Sequence, residues 1–397
     1  ILYELNIIKE ERSKDEAFQK EYETLMRAPV YVDSPLAISA TEVFKNNEDL
    51  FDDETKAIHH VVEGQPVEQK KHIKRKIANL IINSDEYSTI TEGAIQNFNS
   101  IIDYYDISNI YLQNPPYIIA EKIKKVYSKY VENHYQYKSI NLDVIKQINN
   151  KYSSNIIGQD LAKKSLLRNI LSFDKFKSLK KPIVLMFYGP SGVGKTETAR
   201  FISTILDEKL FYKQFSMFQN NEFANYLFGG QHSQNSFAKE LLDRESNVIL
   251  LDEFDKANNV FYSAFYQFFD EGIYNDKNYS VSLDNGIIIC TSNYNSKEEI
   301  RAHLGDPIYF RFDGFIPFSD LDNESLIKII DIYYSKYYSE LSVEDKEIID
   351  SYTNKSGKTL IQSLHESSKG LINARNINTI VKDCILQILL EDVLKHW

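Results

Sequence analysis

Three short stretches carry residue types and spacings suited to phosphate chemistry. The first is Gly189-Pro190-Ser191-Gly192-Val193-Gly194-Lys195-Thr196, which fits G-x-x-x-x-G-K-[ST] in full. Glycines there let backbone N–H groups close on phosphate oxygens with no Cβ in the way. A helix starting behind the loop adds a favourable dipole. Lys195 then reaches the β- and γ-phosphates, and Thr196 offers a hydroxyl to Mg2+. Glu197 follows within the first turn of that helix and joins the expected nucleotide-binding set. The second stretch is Asn247-Val-Ile-Leu-Leu251-Asp252-Glu253, an apolar strand ending in two acids. Such a strand places both acids at the carboxyl edge of its sheet, beside the phosphate loop. Asp252 suits the Mg2+ water shell, and Glu253 suits a general base that polarises an attacking water. The third is Gly286–Cys290 followed by Thr291-Ser292-Asn293. Asn293, an amide at a strand tip, is the expected water-orienting residue.

These stretches need a scaffold that brings strand ends together. Ile183–Tyr188, Val248–Leu251 and Gly286–Cys290 are short, uniformly apolar runs. Strands buried on both faces lose alternation in this way, as in parallel sheets covered by helices. Thr196–Leu206 reads as the helix behind the phosphate loop. The expected class is therefore α/β, with a parallel sheet flanked by helices over residues 151–318. Residues 319–397 show no strand signal. Leu326–Tyr338, Val343–Thr353 and Asn376–Leu394 have helical spacing and predict a small helical lid. Before residue 151 the expectation is a mostly helical region. Ala94–Tyr105 and Ile119–Tyr135 read as helices, parted by Asn114-Pro115-Pro116. Further upstream, Pro29–Asp33 reads as a strand closed by Ser34-Pro35, with a helix beginning near Thr41 and Glu42.

Composition narrows the function classes. The chain has 397 residues, of which 43% are hydrophobic and 26% charged, with a net charge of −11. That allows two or three domains with real cores. An acidic chain is poorly suited to neutralising duplex phosphates unless its basic residues cluster. Two cysteines, Cys290 and Cys384, rule out a disulfide scaffold or a multi-cysteine zinc site and suit a reducing cytoplasm. No apolar run approaches the length of a membrane span, and no signal-peptide pattern opens the chain. The first residue is Ile1, which fits a processed or partial product, and intact mass would test that.

In order and wording, the motifs resemble AAA+ ATPases of the Clp chaperone type. Ile156-Ile157-Gly158-Gln159-Asp160 is similar to that family's entry motif, which implies that Ile157 lies near an adenine. Met186–Ala199 is similar to its P-loop, and Leu251-Asp-Glu-Phe-Asp-Lys-Ala257 to its Asp-Glu-x-x-Lys-Ala signature. Phe269-Asp-Glu-Gly272 resembles the stretch before its third strand, and Thr291-Ser-Asn293 its sensor 1. The likeness covers about residues 150–397. It implies two arginines that spacing alone does not identify. Pro307-Ile-Tyr-Phe-Arg311 resembles the arginine-finger segment, one residue shorter than usual, so Arg311 would act on a neighbouring subunit's γ-phosphate. A surface ion pair with Asp306 or Asp313 is the other reading of Arg311. Asn373-Ala374-Arg375 resembles the family's Gly-Ala-Arg, which would make Arg375 a sensor contacting phosphates in cis. The family's aromatic-glycine pore loop is not matched. The corresponding stretch, Leu227–Phe237, is shorter and lacks Gly-Tyr-Val-Gly, with Phe228 and His232 the available substitutes.

Ala28–Phe44, with Ile1–Asn6, resembles part of the β-CASP region of metallo-β-lactamase-fold nucleases, chiefly at Val32-Asp-Ser-Pro-Leu-Ala37. The zinc-binding His-x-His-x-Asp-His cluster is absent from the sequence, so the resemblance implies no metal chemistry here. Lys70–Lys76 is the one basic cluster, read as a solvated face or as a phosphate-binding patch for nucleic acid. Tyr333, Tyr334, Tyr337 and Tyr338 repeat at helical spacing, as packing or as a base-stacking platform. The expected organisation is a β-CASP-like fragment (1–57), a helical region (58–150), an ATPase domain (151–318) and a lid (319–397). The expected ligands are ATP and Mg2+. The expected function is an ATP-hydrolysing homo-oligomer, hexameric by the resemblance, that remodels a protein client or works with an adaptor through its N-terminal region. Two other readings stay open: an ATPase module of a nucleic-acid-processing assembly, and a nucleotide-dependent interaction switch.

Overall fold

A computed structural model of the chain describes residues 38–39, 75–175, 181–217, 222–354, 356–368 and 374–395. The expected strand at Pro29–Asp33, the helix start at Thr41 and Glu42, and most of the β-CASP-like stretch lie outside them. The chain divides into two units. One comprises residues 1–137, 220–244 and 273–282; the other comprises 138–219, 245–272 and 283–397.

The larger unit is built on a five-stranded sheet, parallel throughout. Its strands are β4 (Ile183–Tyr188), β5 (Phe211–Gln214), β6 (Val248–Asp252), β9 (Ile287–Thr291) and β10 (Gly314–Pro317). Their order across the sheet is β10-β4-β9-β6-β5. The three central strands are buried along nearly their whole length, which is why their sequences are uniformly apolar. Leu185 pairs with Ile289, and Leu250 pairs with Ile289 from the other side. The flanking strands β5 and β10 were not expected from sequence. Phe211-Tyr-Lys-Gln214 is only partly buried throughout, and Gly314-Phe-Ile-Pro317 carries the glycine and proline that normally argue against a strand. As the sheet's edge, β10 tolerates Pro317.

The C-terminal segment is helical, as read: Asn323–Glu340, Val343–Ser351, Leu360–Ser367 and Ala374–Lys395. Leu360–Ser367 was missed, although Thr359 and Gln362 form a reciprocal capping box at its start. Ile330, Leu364, Ile377 and Val381 from these helices share one core with Leu166, Phe187, Ile202 and Ile289. The lid and sheet therefore share one unit, with no division at 318/319. The four tyrosines Tyr333, Tyr334, Tyr337 and Tyr338 pack against that core, as the packing reading required.

The smaller unit corrects the helical reading of residues 58–150. Here β2 (Arg75–Ile82) and β3 (Tyr105–Leu112) pair in parallel, and β2 also pairs with β1 (Ile38–Ser39). The basic residues before and at the start of β2 masked the strand signal of its three isoleucines, Ile77, Ile81 and Ile82. The expected helix Ala94–Tyr105 is two short helices, Glu92–Gln96 and Phe98–Ile102. The expected Ile119–Tyr135 helix covers Tyr117–Val126 and ends where Tyr127 turns extended. The boundary expected at residue 150 falls inside the helix Leu142–Asn155. Two inserted segments complete this unit: the helices Glu222–Phe228 and Phe237–Leu242, and the hairpin β7 (Ile273–Asn275) with β8 (Ser280–Ser282).

The sheet core sets the stability of the larger unit. Ile289, fully buried between β4 and β6, is its central residue. Replacing Ile289 by Ala should cost about 2–5 kcal/mol in that unit. The check is a lowered unfolding midpoint in the larger unit's transition, with the smaller unit's transition unmoved.

Candidate nucleotide site

Because the sheet is parallel, β4, β6 and β9 all end on one edge, and β9 lies between the other two. The phosphate loop leaves β4 there. Gly189 follows the strand with φ +132°, and a Cβ on it would lie 2.0 Å from the Phe318 carbonyl oxygen. Gly192 and Gly194 also have positive φ, and Gly194 caps the helix Lys195–Ile205. Ser191 is exposed and Pro190 half-buried, whereas Val193 points its side chain into the core. These backbones, not their side chains, form the cradle. Lys195 is nearly buried, and its ammonium donates to the Gly189 carbonyl at 2.6 Å and the Pro190 carbonyl at 2.7 Å. It also reaches Asn293 Oδ1 at 3.1 Å, so the third strand's tip and the loop's lysine meet directly.

The two acids stand in different settings. The Thr196 hydroxyl donates to Asp252 Oδ2 at 3.2 Å, and the Tyr212 hydroxyl donates to the same oxygen at 3.3 Å. The Thr291 hydroxyl donates to Asp252 Oδ1. Burial raises the Tyr212 phenol pKa, and the neighbouring Asp252 charge adds to the rise. Glu253 sits in the left-handed region, at φ +53°, a conformation that costs a non-glycine residue about 1–2 kcal/mol. Its N–H donates to Thr291 Oγ1 at 2.8 Å, and its Oε2 accepts from Gln214 Nε2 at 3.0 Å. Sequence reasoning missed Thr291, Tyr212 and Gln214. The β5 residues had no motif to mark them, and Thr291 stood one step from the residue chosen.

The set suits both expected ligands. The glycine cradle has no room for added Cβ atoms at Gly189. Thr196 and Asp252 are hard oxygen donors of the kind Mg2+ takes one or two of, beside phosphates and water. Among the described residues no group of three or more His, Cys, Asp or Glu is arranged around a metal, and an Mg2+ held with a nucleotide does not require one.

The remaining expected residues are not all at this edge: Arg311 precedes β10, whose first residue Gly314 pairs with Leu185 near the start of β4. Ile157 is half-buried against the core. The adjoining Gln159 is buried and clasps Ser319: its amide donates to the Ser319 carbonyl at 2.8 Å and its oxygen accepts the Ser319 N–H at 3.1 Å. Glu197 is exposed and near Tyr333 of the lid, whose phenol pKa is raised chiefly by burial and then by that carboxylate. Arg375 is the second residue of the helix Ala374–Lys395, and its side chain lies outside the described residues. The backbone beside it is informative, since Ala374 N–H donates to the Gly192 carbonyl at 3.1 Å. The last helix therefore starts on the phosphate loop. Arg311 pairs with neither Asp306 nor Asp313. Arg301 takes Asp306 at 2.6 Å and Lys181 takes Asp313 at 3.1 Å. Arg311 Nε instead donates to Asp270 at 2.9 Å, with the guanidinium 4.1 Å from the Tyr266 ring centre. Asp270 is 41 positions upstream, beyond any local reading.

Phe228 and His232, the two residues available in place of a pore-loop aromatic, are in the smaller unit. His232 is buried at 5% exposure, and burial lowers its pKa, so it is no exposed paddle. Phe228 stays 43% exposed, but its carbonyl accepts from the Lys277 N–H at 3.0 Å. The Tyr274 hydroxyl donates to the Leu227 carbonyl at 2.8 Å, and Asn278 donates to Gly230 at 3.1 Å. This stretch is tied to the β7–β8 hairpin.

Residues 180–341 match the family described as AAA domain (Cdc48 subfamily). The chain is 25% identical over 370 residues to the ATP-dependent Clp protease ATP-binding subunit ClpL of Staphylococcus aureus (strain bovine RF122 / ET3-1), covering 86% of this chain and 50% of that protein. The like-named protein of Staphylococcus aureus (strain USA300) is 26% identical over 282 residues, 64% of this chain and 39% of the relative. The chain thus spans half or less of the length of these curated relatives. Among solved structures, an S. cerevisiae Hsp104:casein complex in an extended conformation aligns with TM-score 0.51 and 18% identity, over 65% of this chain and 49% of that one. A closed state of Hsp104 with ATPyS and FITC casein aligns with TM-score 0.51 and 16% identity, over 96% and 80%. The fold is therefore the Hsp104-like AAA+ fold. The site thus lies within the stretch that matches the AAA domain, on an Hsp104-like AAA+ fold.

Gly189 offers a direct test of the cradle. Gly189→Ala forces a Cβ against the Phe318 backbone at a φ that alanine rarely adopts. Nucleotide affinity should fall at least about tenfold, a loss of about 1.4 kcal/mol, as read by titration with a fluorescent ATP analogue.

Proposed function

We propose that this chain hydrolyses ATP with Mg2+ as the motor part of a homo-oligomeric, cytoplasmic machine that remodels a protein client. The observation that carries this reading is the convergence of Lys195, Asn293, Thr196, Asp252 and Glu253 on one sheet edge. In this reading the glycine loop and Lys195 hold the β- and γ-phosphates. Thr196 and Asp252 hold the metal, which when bound neutralises charge developing on the phosphates. Glu253 takes a proton from the attacking water, and Asn293 orients that water. Ile157 lines the adenine side, Glu197 borders the site, and Arg375 reaches the phosphates from the lid.

Arg311 acts in trans in this reading, so the oligomer, a hexamer as in the family the motifs resemble, completes each site. Catalysis then consists of positioning and charge stabilisation. The docking of Ala374 on Gly192 and of Gln159 on Ser319 supports a coupling of nucleotide to lid. The protein client, or an adaptor carrying it, is engaged through the N-terminal region. The tied-down stretch at Leu227–Gly230 favours remodelling of a client over threading by a free aromatic loop.

Three variants test the assignment. Lys195→Ala should abolish nucleotide binding, and unchanged affinity in a binding titration would sink the cradle assignment. Glu253→Gln should bind ATP normally while lowering turnover by about a hundredfold or more. Arg311→Ala should lower the ATPase rate of the assembled oligomer by about a thousandfold with nucleotide affinity nearly kept. Mixing Arg311→Ala with Lys195→Ala subunits should then restore part of the rate, since each lends what the other lacks.

A further inference from the structure

Thr291 stands between the two acids and bonds to both. A hydroxyl has one proton to donate and lone pairs to accept with. The Glu253 N–H can only donate, so Thr291 Oγ1 accepts it, at 2.8 Å. The single hydroxyl proton is then directed to Asp252 Oδ1. Thr291 is itself 2% exposed, at the last position of β9, so rotation of the hydroxyl is confined by the sheet. The bond falls on the backbone of Glu253, the one residue of the site held at a positive φ without being glycine. Asp252's other oxygen is taken by Thr196 and Tyr212.

We propose that Thr291 is the positioning residue that fixes the metal-side carboxylate of Asp252 and the backbone turn of Glu253 relative to each other. This rests on the proposed roles of those two acids. Asn293, two residues on, serves the lysine; Thr291 serves the acids. One strand tip thereby sets both halves of the site. No other residue type of this size both donates and accepts strongly at this point. Valine keeps the shape and loses both bonds. Serine keeps both bonds and loses only a methyl group.

The test compares Thr291→Val, Thr291→Ser and Glu253→Gln in the full chain, with ATP turnover, ATP-analogue affinity and hydrogen–deuterium exchange of the peptide spanning Asp252–Phe254. In Thr291→Val, kcat should fall at least about tenfold with affinity within about threefold, because the bound phosphates keep their cradle while the base is misplaced. The peptide should exchange about tenfold faster even without nucleotide, since the Glu253 amide has lost its acceptor. Thr291→Ser should restore both readouts to within about threefold. If Thr291→Val does not fold, Thr291→Cys fills the same space with a poor hydrogen-bonding group and replaces it.

Normal turnover in Thr291→Val, or equal losses in the Val and Ser variants, overturns the proposal. Loss of nucleotide affinity in step with turnover overturns it as well, because that marks general disruption of the site. Glu253→Gln separates the two levels. If that variant hydrolyses ATP normally, the general-base reading fails. If it is inactive while Thr291→Val is fully active, only the role of Thr291 fails.

Discussion

Everything at the candidate nucleotide site depends on β9 lying between β4 and β6 in a parallel sheet. Strand order fixes which loops share an edge, and parallel direction puts all three carboxyl ends on it. The phosphate loop comes from one neighbour of β9 and the acids from the other. The tip of β9 is therefore within reach of both, and the hydrogen bonds confirm this: Asn293 to Lys195 on one side, Thr291 to Asp252 and Glu253 on the other. The register of fully buried strands holds that geometry to the precision the chemistry requires. A slip of β9 by one residue would turn Thr291 to the opposite face of the sheet.

A second constraint links that edge to the lid. Gly189 passes so close to Phe318 that only glycine fits, and Phe318 lies directly after β10. Gln159 grips the next residue, Ser319, through both ends of its amide. Ala374 then returns the start of the last helix to Gly192. The lid is thus anchored to the phosphate loop at its beginning and at its final helix. Two of these contacts, Gly189 against Phe318 and Gly192 with Ala374, are made by the loop itself, both through backbone atoms. Backbone atoms of the loop therefore meet both ends of the helical segment.

Much of this arrangement was legible in the sequence, and the boundary of legibility has physical causes. Buried parallel strands declare themselves by uninterrupted apolar runs, so β4, β6 and β9 could be read, and with them the residues at their tips. Strands at the sheet margins do not. Phe211–Gln214 is half-buried, and Gly314–Pro317 carries residues tolerated only at an edge. With β5 unread, Tyr212 and Gln214 could not be placed beside Asp252 and Glu253. The Asp270 partner of Arg311 was hidden for a different reason: a long-range ion pair leaves no periodic trace. In the N-terminal region a charged lead-in obscured the strand Arg75–Ile82, and a parallel three-stranded sheet stood where helices were expected.

The inserted segments 220–244 and 273–282 carry the last step of the argument. Both leave the larger unit's chain path and join the smaller unit, where their own hydrogen bonds tie Leu227, Phe228 and Gly230 to Tyr274, Lys277 and Asn278. Asp243, at the end of the second inserted helix, accepts from Asn114 at 2.7 Å and from Ser84 at 3.0 Å. Its pKa is raised by burial, yet it keeps two donors, so it acts as a bolt between the insertion and the β2–β3 sheet. A loop that must grip and release polypeptide needs backbone freedom, and this stretch has little.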